Sequence, residues 1–223
     1  MIKICSIVVG DSLEEFLDNL NKVQQVSNFV ELRVDYIKDL SIEHLDIIKK
    51  HTIKENIFTC RSIKEGGKFA GNKEDLKSII YRANELQFNH IDIEISMLEN
   101  INFDNKNCKI IGSYHNFNNT PSYNELLNIY NNIKQYDFVD VVKIATNVIN
   151  DNDNIELVKL LINRDKDIIV LGMGEKGKII RIISPLLGGY LTFASINDNN
   201  ISALGQISLN DLINIYGGKY DWK

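Results

Sequence analysis

Lys143 sits among Val139, Val141, Val142 and Ile144, a β-branched run without turn residues that reads as a buried strand. Strands alternate faces, so Lys143 shares one with Val139, Val141 and Ala145. A lysine on an apolar face snorkels to water, pairs with a carboxylate, or stays desolvated with its pKa pulled down. The third case gives a neutral amine that can attack a carbonyl and form an imine. The strand-like run before it, 109–116, carries His115 near its end. Adjacent strands lie about 4.8 Å apart, so the two side chains can face one small volume. Taken alone, such a histidine reads as a hydrogen-bonded structural residue. Beside an imine-forming lysine it reads as the group that moves protons around the imine.

Further charge falls on the inner faces of other strand-like runs. Glu31, Arg33 and Asp35 alternate with Val30, Leu32 and Val34, Arg61 ends a third run, and Asp92 and Glu94 alternate with isoleucines. Burying such charges is costly unless they pair or bind a polar ligand. Asp92 and Glu94 read equally well as part of an internal salt-bridge network. Glu65 follows Arg61 in a polar loop with Gly66 and Gly67. Gly172, Gly174 and Gly177 match GxGxxG between a strand and a helix, with Asp198 about twenty residues on, the pattern of a dinucleotide site. A single copy in the seventh unit, with Arg181 just beyond it, could equally serve an anionic substrate group. Residues 197–206, which include Ser202 and Gln206, read as a mobile lid or as an ordinary surface loop.

These residues need a frame that turns them toward each other. Strand-like runs at 2–9, 29–35, 56–62, 90–95, 109–116, 138–146, 167–172 and 190–196 alternate with stretches of helical period. The fourth unit is the exception, with only a poor, Asn-rich segment after its strand. About eight βα units argue for a (β/α)8 barrel, with chemistry at the C-terminal ends of the strands. A doubly wound open sheet is the rival. No linker divides the chain, so residues 1–223 read as one domain. Hydrophobic residues make up 44%, enough for a sizeable core, and a net charge of −5 gives no reason to expect a nucleic-acid partner. No apolar run is long enough to span a bilayer and no signal-peptide pattern opens the chain. Three separated cysteines, Cys5, Cys60 and Cys108, fit reduced core thiols of a cytoplasmic protein. The four histidines show no metal-ligand spacing.

Taken in order, these motifs carry a resemblance. Glu31, Arg33 and Asp35; Thr59, Arg61 and Glu65 before two glycines; Ser113, His115 and Asn116; Lys143; Gly174, Gly177 and Arg181; and Ser202 with Gly205 and Gln206 resemble type I 3-dehydroquinate dehydratase from the first strand to the last helix. That resemblance implies a (β/α)8 barrel, commonly a homodimer, acting in the shikimate pathway on 3-dehydroquinate without cofactor or metal. It further implies that Lys143 forms an imine with the substrate ketone, that His115 moves the protons, and that Glu65 orients His115. Glu31, Arg33 and Arg61 would hold ring hydroxyls, and Arg181, Ser202 and Gln206 the carboxylate. One departure is Leu204, where the family usually has proline, which removes a fixed φ from the lid. Two other readings share some of these residues: an imine-forming aldolase barrel, and a nicotinamide-dependent oxidoreductase built on the glycine motif.

Overall fold

A β-branched or aromatic run starts each unit of the computed structural model, which describes residues 1–196 and 205–217. In chain order it builds β1 (Ile4–Val8), α1 (Leu13–Val26), β2 (Phe29–Arg33), α2 (Ile42–His51), β3 (Glu55–Thr59) and α3 (Lys73–Glu85). There follow β4 (His90–Glu94), α4 (Ile95–Leu98), β5 (Lys109–Asn116), α5 (Tyr123–Lys134), β6 (Val141–Asn147) and α6 (Asp151–Ile162). The last elements are β7 (Asp167–Met173), α7 (Lys178–Leu186), β8 (Thr192–Ser195), β9 (Ile207–Ser208) and α8 (Leu209–Tyr216). Helix starts are set by side-chain caps. Ser12 accepts from the Glu15 amide, and capping boxes join Asn72 to Asp75, Ser122 to Glu125 and Asn150 to Asp153.

All strand pairs are parallel, in the order β7-β6-β5-β4-β3-β2-β1-β8-β9. The two sides of this order meet where the Tyr190 amide, just before β8, donates to Ile168 O of β7 at 2.8 Å. The sheet therefore curls into the expected (β/α)8 barrel, and the open doubly wound alternative does not hold. Outward residues such as Val30, Leu32, Val142, Ile144 and Val170 pack under the helices in the larger core. Inward residues, among them Cys5, Phe29, Ile57, Ile111, Val141 and Ile169, fill the barrel.

Several boundaries differ from the sequence reading. Strand β2 ends at Arg33, and Asp35 lies in a 3₁₀ turn, Val34–Tyr36. Strand β6 starts at Val141, so Val139 leaves the face of Lys143 and joins the outer core. The Asn-rich fourth unit has a single short helix, α4. Cys5, Cys60 and Cys108 are free thiols, the first two buried.

Between β7 and α7 the chain makes a 3₁₀ turn, Glu175–Gly177, that returns Gly177 against Gly172. A Cβ on Gly172 would lie 2.6 Å from Gly177 O and 2.7 Å from Gly177 Cα, so the close approach needs glycine. Gly172→Ala is expected to cost about 1–3 kcal/mol of stability, the usual range for overpacking. A lower urea midpoint at constant m would show it; an unmoved midpoint would mean that the two backbones can part freely.

Candidate active site

Lys143 is central on β6, buried, and aimed into the barrel mouth. Its Nζ lies 2.9 Å from Asp92 Oδ2 and 3.5 Å from Glu31 Oε1, and 4.6 Å from the centroid of the Phe193 ring. Of the alternatives open in the sequence, the lysine is thus both buried and paired. Asp92 and Glu94 occupy inward positions of β4, two strands away, because parallel register sets Glu94 beside Ser113 and Ser113 beside Lys143. Arg61, just past β3, reaches the same point: Nη2 is 2.7 Å from Asp92 Oδ1, and Nη1 donates to Ser113 Oγ at 2.9 Å. Ser113 in turn donates to Asp92 at 2.6 Å. Burial alone would raise the Asp92 carboxyl, but Arg61 and then Lys143 outweigh it and hold it well below the usual carboxylate range. Burial likewise works against the Arg61 cation, and Asp92 and Glu94 more than restore it. Asp92 and Glu94 therefore do belong to an internal network. Glu94 serves it mainly by accepting from the Ser62 amide and hydroxyl at 2.6 and 2.8 Å.

His115 and Glu65 meet across the mouth, with Nδ1 3.1 Å from Oε2. Glu65 ends a 3₁₀ turn, Ile63–Glu65, after β3. That turn is closed by Gly66 at φ 77°, in the left-handed region where a side chain is strained. Burial, and then Glu94, push the Glu65 carboxyl up to about 8 despite Arg61. Burial, followed by Arg61 and Lys143, pushes the His115 imidazolium well down. The pair therefore carries one exchangeable proton near neutral pH.

Arg33 is held by Asp35 through two 2.8 Å hydrogen bonds and faces the Tyr36 ring. Asp35 also accepts from the Lys68 amide at 3.0 Å, tying the loop that carries Glu65 to β2. Arg181 is buried and reaches inward from α7, donating from Nε to Gly172 O at 2.9 Å. No carboxylate pairs with it among the described residues, and burial lowers its pKa to about 10. A buried guanidinium of this kind suits an anionic ligand group.

Glu31, Arg33, Arg61, Glu65, His115, Lys143, Arg181 and Gln206 all line one cavity. Ser202, Leu204 and Asp198 lie outside the described residues, as does most of the 197–206 segment. The same cavity has apolar walls that side-chain chemistry did not flag: Ile7, Phe117, Leu171, Met173 and Phe193. Strand alternation carried the signal for Phe193, which is inward on β8 by the period that turns Lys143 inward on β6. The glycine motif does not stand apart as a nucleotide site, since Met173 within it lines this cavity.

A parallel barrel with its titratable groups gathered at the C-terminal ends of the strands is built as barrel enzymes are, and the molecule is an enzyme of that class. Comparison with known proteins narrows the class. The model of the type I 3-dehydroquinase family matches residues 4–221, and the chain belongs to that family, whose members are hydro-lyases. The 3-dehydroquinate dehydratase of Coxiella burnetii is 45% identical over 216 residues, covering 96% of this chain and 92% of that protein. Among solved structures, the type I 3-dehydroquinate dehydratase of Clostridium difficile, carrying covalently modified comenic acid, superposes with a TM-score of 0.86. It is 26% identical, over 96% of this chain and 91% of that one. The 3-dehydroquinate dehydratase of Geobacillus kaustophilus shares the fold with a TM-score of 0.88 at 22% identity, over 96% and 90% of the two chains.

The opposed shifts of His115 and Glu65 fix a stability window. Glu65, raised from 4.5 to about 8, gives stability that is lost as pH rises between those values. His115, lowered from 6.5, gives stability that is lost as pH falls below 6.5. From about 4.5 to 6.5 folded and unfolded chains each hold one proton on this pair, and the two effects cancel. Between 6.5 and 8 only the folded chain holds it, so stability should fall with rising pH by up to about 2 kcal/mol, at about 1.36 kcal/mol per unit. Chemical denaturation across that range should show the fall, and Glu65→Gln should flatten it. A fall of the same size in the variant would assign the proton elsewhere.

Proposed function

We propose that this chain dehydrates 3-dehydroquinate to 3-dehydroshikimate through an imine on Lys143. One observation carries the reading: Lys143, the His115–Glu65 pair and a buried Arg181, which has no carboxylate partner among the described residues, open into the same small cavity. Arg181, with Ser202 and Gln206, takes the substrate carboxylate, and Glu31, Arg33 and Arg61 take the ring hydroxyls. Nζ of Lys143 adds to the ketone carbon and water leaves, giving an iminium that makes the neighbouring C–H acidic. With Nδ1 held by Glu65, Nε2 of His115 is the nitrogen left to take that proton, and the C–H electron pair moves into an enamine. The electrons return as the β-hydroxyl departs with a proton from the same Nε2. Because one residue serves both transfers, the elimination is syn. Hydrolysis of the imine frees the product and the lysine. The imine is itself the electron sink, so the chemistry asks for no cofactor.

The covalently modified comenic acid in the structure of the C. difficile relative supports covalent chemistry of this kind. We further propose that one barrel domain, 1–223, carries the activity, and that it works as a cytoplasmic homodimer, as the family resemblance implies. A Glu65 carboxylate accepting from Nδ1–H leaves the lone pair on Nε2, whereas a carboxyl donating to Nδ1 puts the ring proton there. Loss of the pair's proton therefore arms the base, and kcat/KM should climb with pH toward a plateau above about 8.

Borohydride added with 3-dehydroquinate should trap Lys143 alone as a secondary amine in a peptide map. Labelling elsewhere, or none with active enzyme, would reject the imine. His115→Ala should still form the adduct yet turn over more slowly by roughly 10²–10⁴-fold, the usual loss of a general acid–base. Intact-mass measurement after quenching should show adduct accumulating, while near-normal turnover would remove His115 from the mechanism.

A further inference from the structure

Phe117 follows β5 directly and is a half-exposed aromatic residue at the mouth of the cavity. Its ring lies almost parallel to the His115 imidazole, 14° between planes and 6.3 Å between centroids. The far edge of the ring, Cζ with the two Cε atoms, rests on Gly66, the residue after Glu65. A Cβ at residue 66 would run into this ring, 2.7 Å from Phe117 Cε2, so the seat exists because residue 66 is glycine. The ring thus lies near both ends of the His115–Glu65 hydrogen bond, parallel to the imidazole and with its far edge on the turn that presents the carboxyl.

We propose that Phe117 is a positioning residue for the elimination: its ring, seated on Gly66, is a lid that keeps water off the His115–Glu65 hydrogen bond. This rests on the reading of His115 as the acid–base group. The lid gives that reading something it needs. A proton taken from carbon must stay on Nε2 until the hydroxyl departs, and bulk water at the pair would exchange it first. The effect is one of solvation, since the segment carrying the ring, 117–122, holds no charged side chain. The charges facing the pair come from elsewhere: Arg33 on β2, Arg61 after β3, Asp92 and Glu94 on β4 and Lys143 on β6. Removing the ring leaves these in place and changes the access of water. Burial is the leading cause of both shifts in the pair, so hydration should draw its two apparent constants together.

Proton NMR of the His115 ring in the free protein, and kcat/KM against pH, test this in Phe117→Ala and Phe117→Leu. In Phe117→Ala the imidazole should titrate at higher pH, and the rise of kcat/KM should move to lower pH, each by about one unit, as expected for partly relieved burial. Phe117→Leu keeps an apolar cover and should show smaller shifts of the same sign. If KM rises while neither titration nor profile moves, Phe117 only touches substrate and the proposal is overturned. If the NMR titration moves while the profile stays, the lid stands and the role given to His115 in catalysis falls.

Discussion

The Asp92 carboxylate is the contact on which the site depends. It is fully enclosed, and its charge is tolerable only because Arg61, Ser113 and Lys143 converge on it at 2.6 to 2.9 Å. Desolvating three ionic groups at one point is expensive, and the cost is recovered only when every lone pair and proton is met. Here they are met by residues from β4, β5 and β6 and by Arg61 just past β3, so the charge cluster fixes the relative height of these strands. Removing one member would strand the others in a low-dielectric interior, which is why such a cluster holds its geometry rigidly. A reactive lysine gains from that rigidity, because its amine is held at one spot before substrate arrives.

The rest of the barrel keeps water from reaching this cluster except through the mouth. Below it, inward residues such as Ile57, Ile111, Val141 and Ile169 form an apolar layer. Below that layer the floor is closed by Phe29, His90 and Tyr190, with His90 Nε2 2.8 Å from the Tyr190 hydroxyl and Phe29 5.3 Å from the His90 ring. Lys3 and Lys109 cover the outer face of Tyr190, their ammonium groups 5.1 and 5.6 Å from its ring. The barrel is therefore open at one end, where the strand ends place the polar groups, and sealed at the other.

The period-2 alternation of charged and β-branched residues made the barrel and most of its site legible from sequence. Glu31 and Arg33, Asp92 and Glu94, and Lys143 turned inward because their neighbours had to turn out. What stayed hidden depends on distances across the barrel. That Asp92 meets Lys143 follows from the stagger of β4 against β6, which no single strand encodes. Phe117 was missed for a related reason, since one aromatic residue after a strand has no period to read. Strand ends were misjudged where a side chain had a better partner outside the ladder. Asp35 left β2 to bind Arg33 and the Lys68 amide, and Val139 went to the outer core.

The glycine motif shows how one local pattern can serve two ends. Gly172 and Gly177 lie back to back because a tight strand-to-helix turn requires it, and that requirement is the same whether or not a pyrophosphate sits on the helix N-terminus. In this chain the close approach brings α7 hard against β7, and the carbonyl of Gly172 is where Arg181 Nε docks, at 2.9 Å. The arginine is fixed on one edge by that carbonyl, and among the described residues no carboxylate pairs with its remaining donors. A pattern that elsewhere offers backbone amides to phosphate here holds a guanidinium in the barrel wall. The side chain that the turn delivers, more than the glycine spacing, decides which anion the site can take.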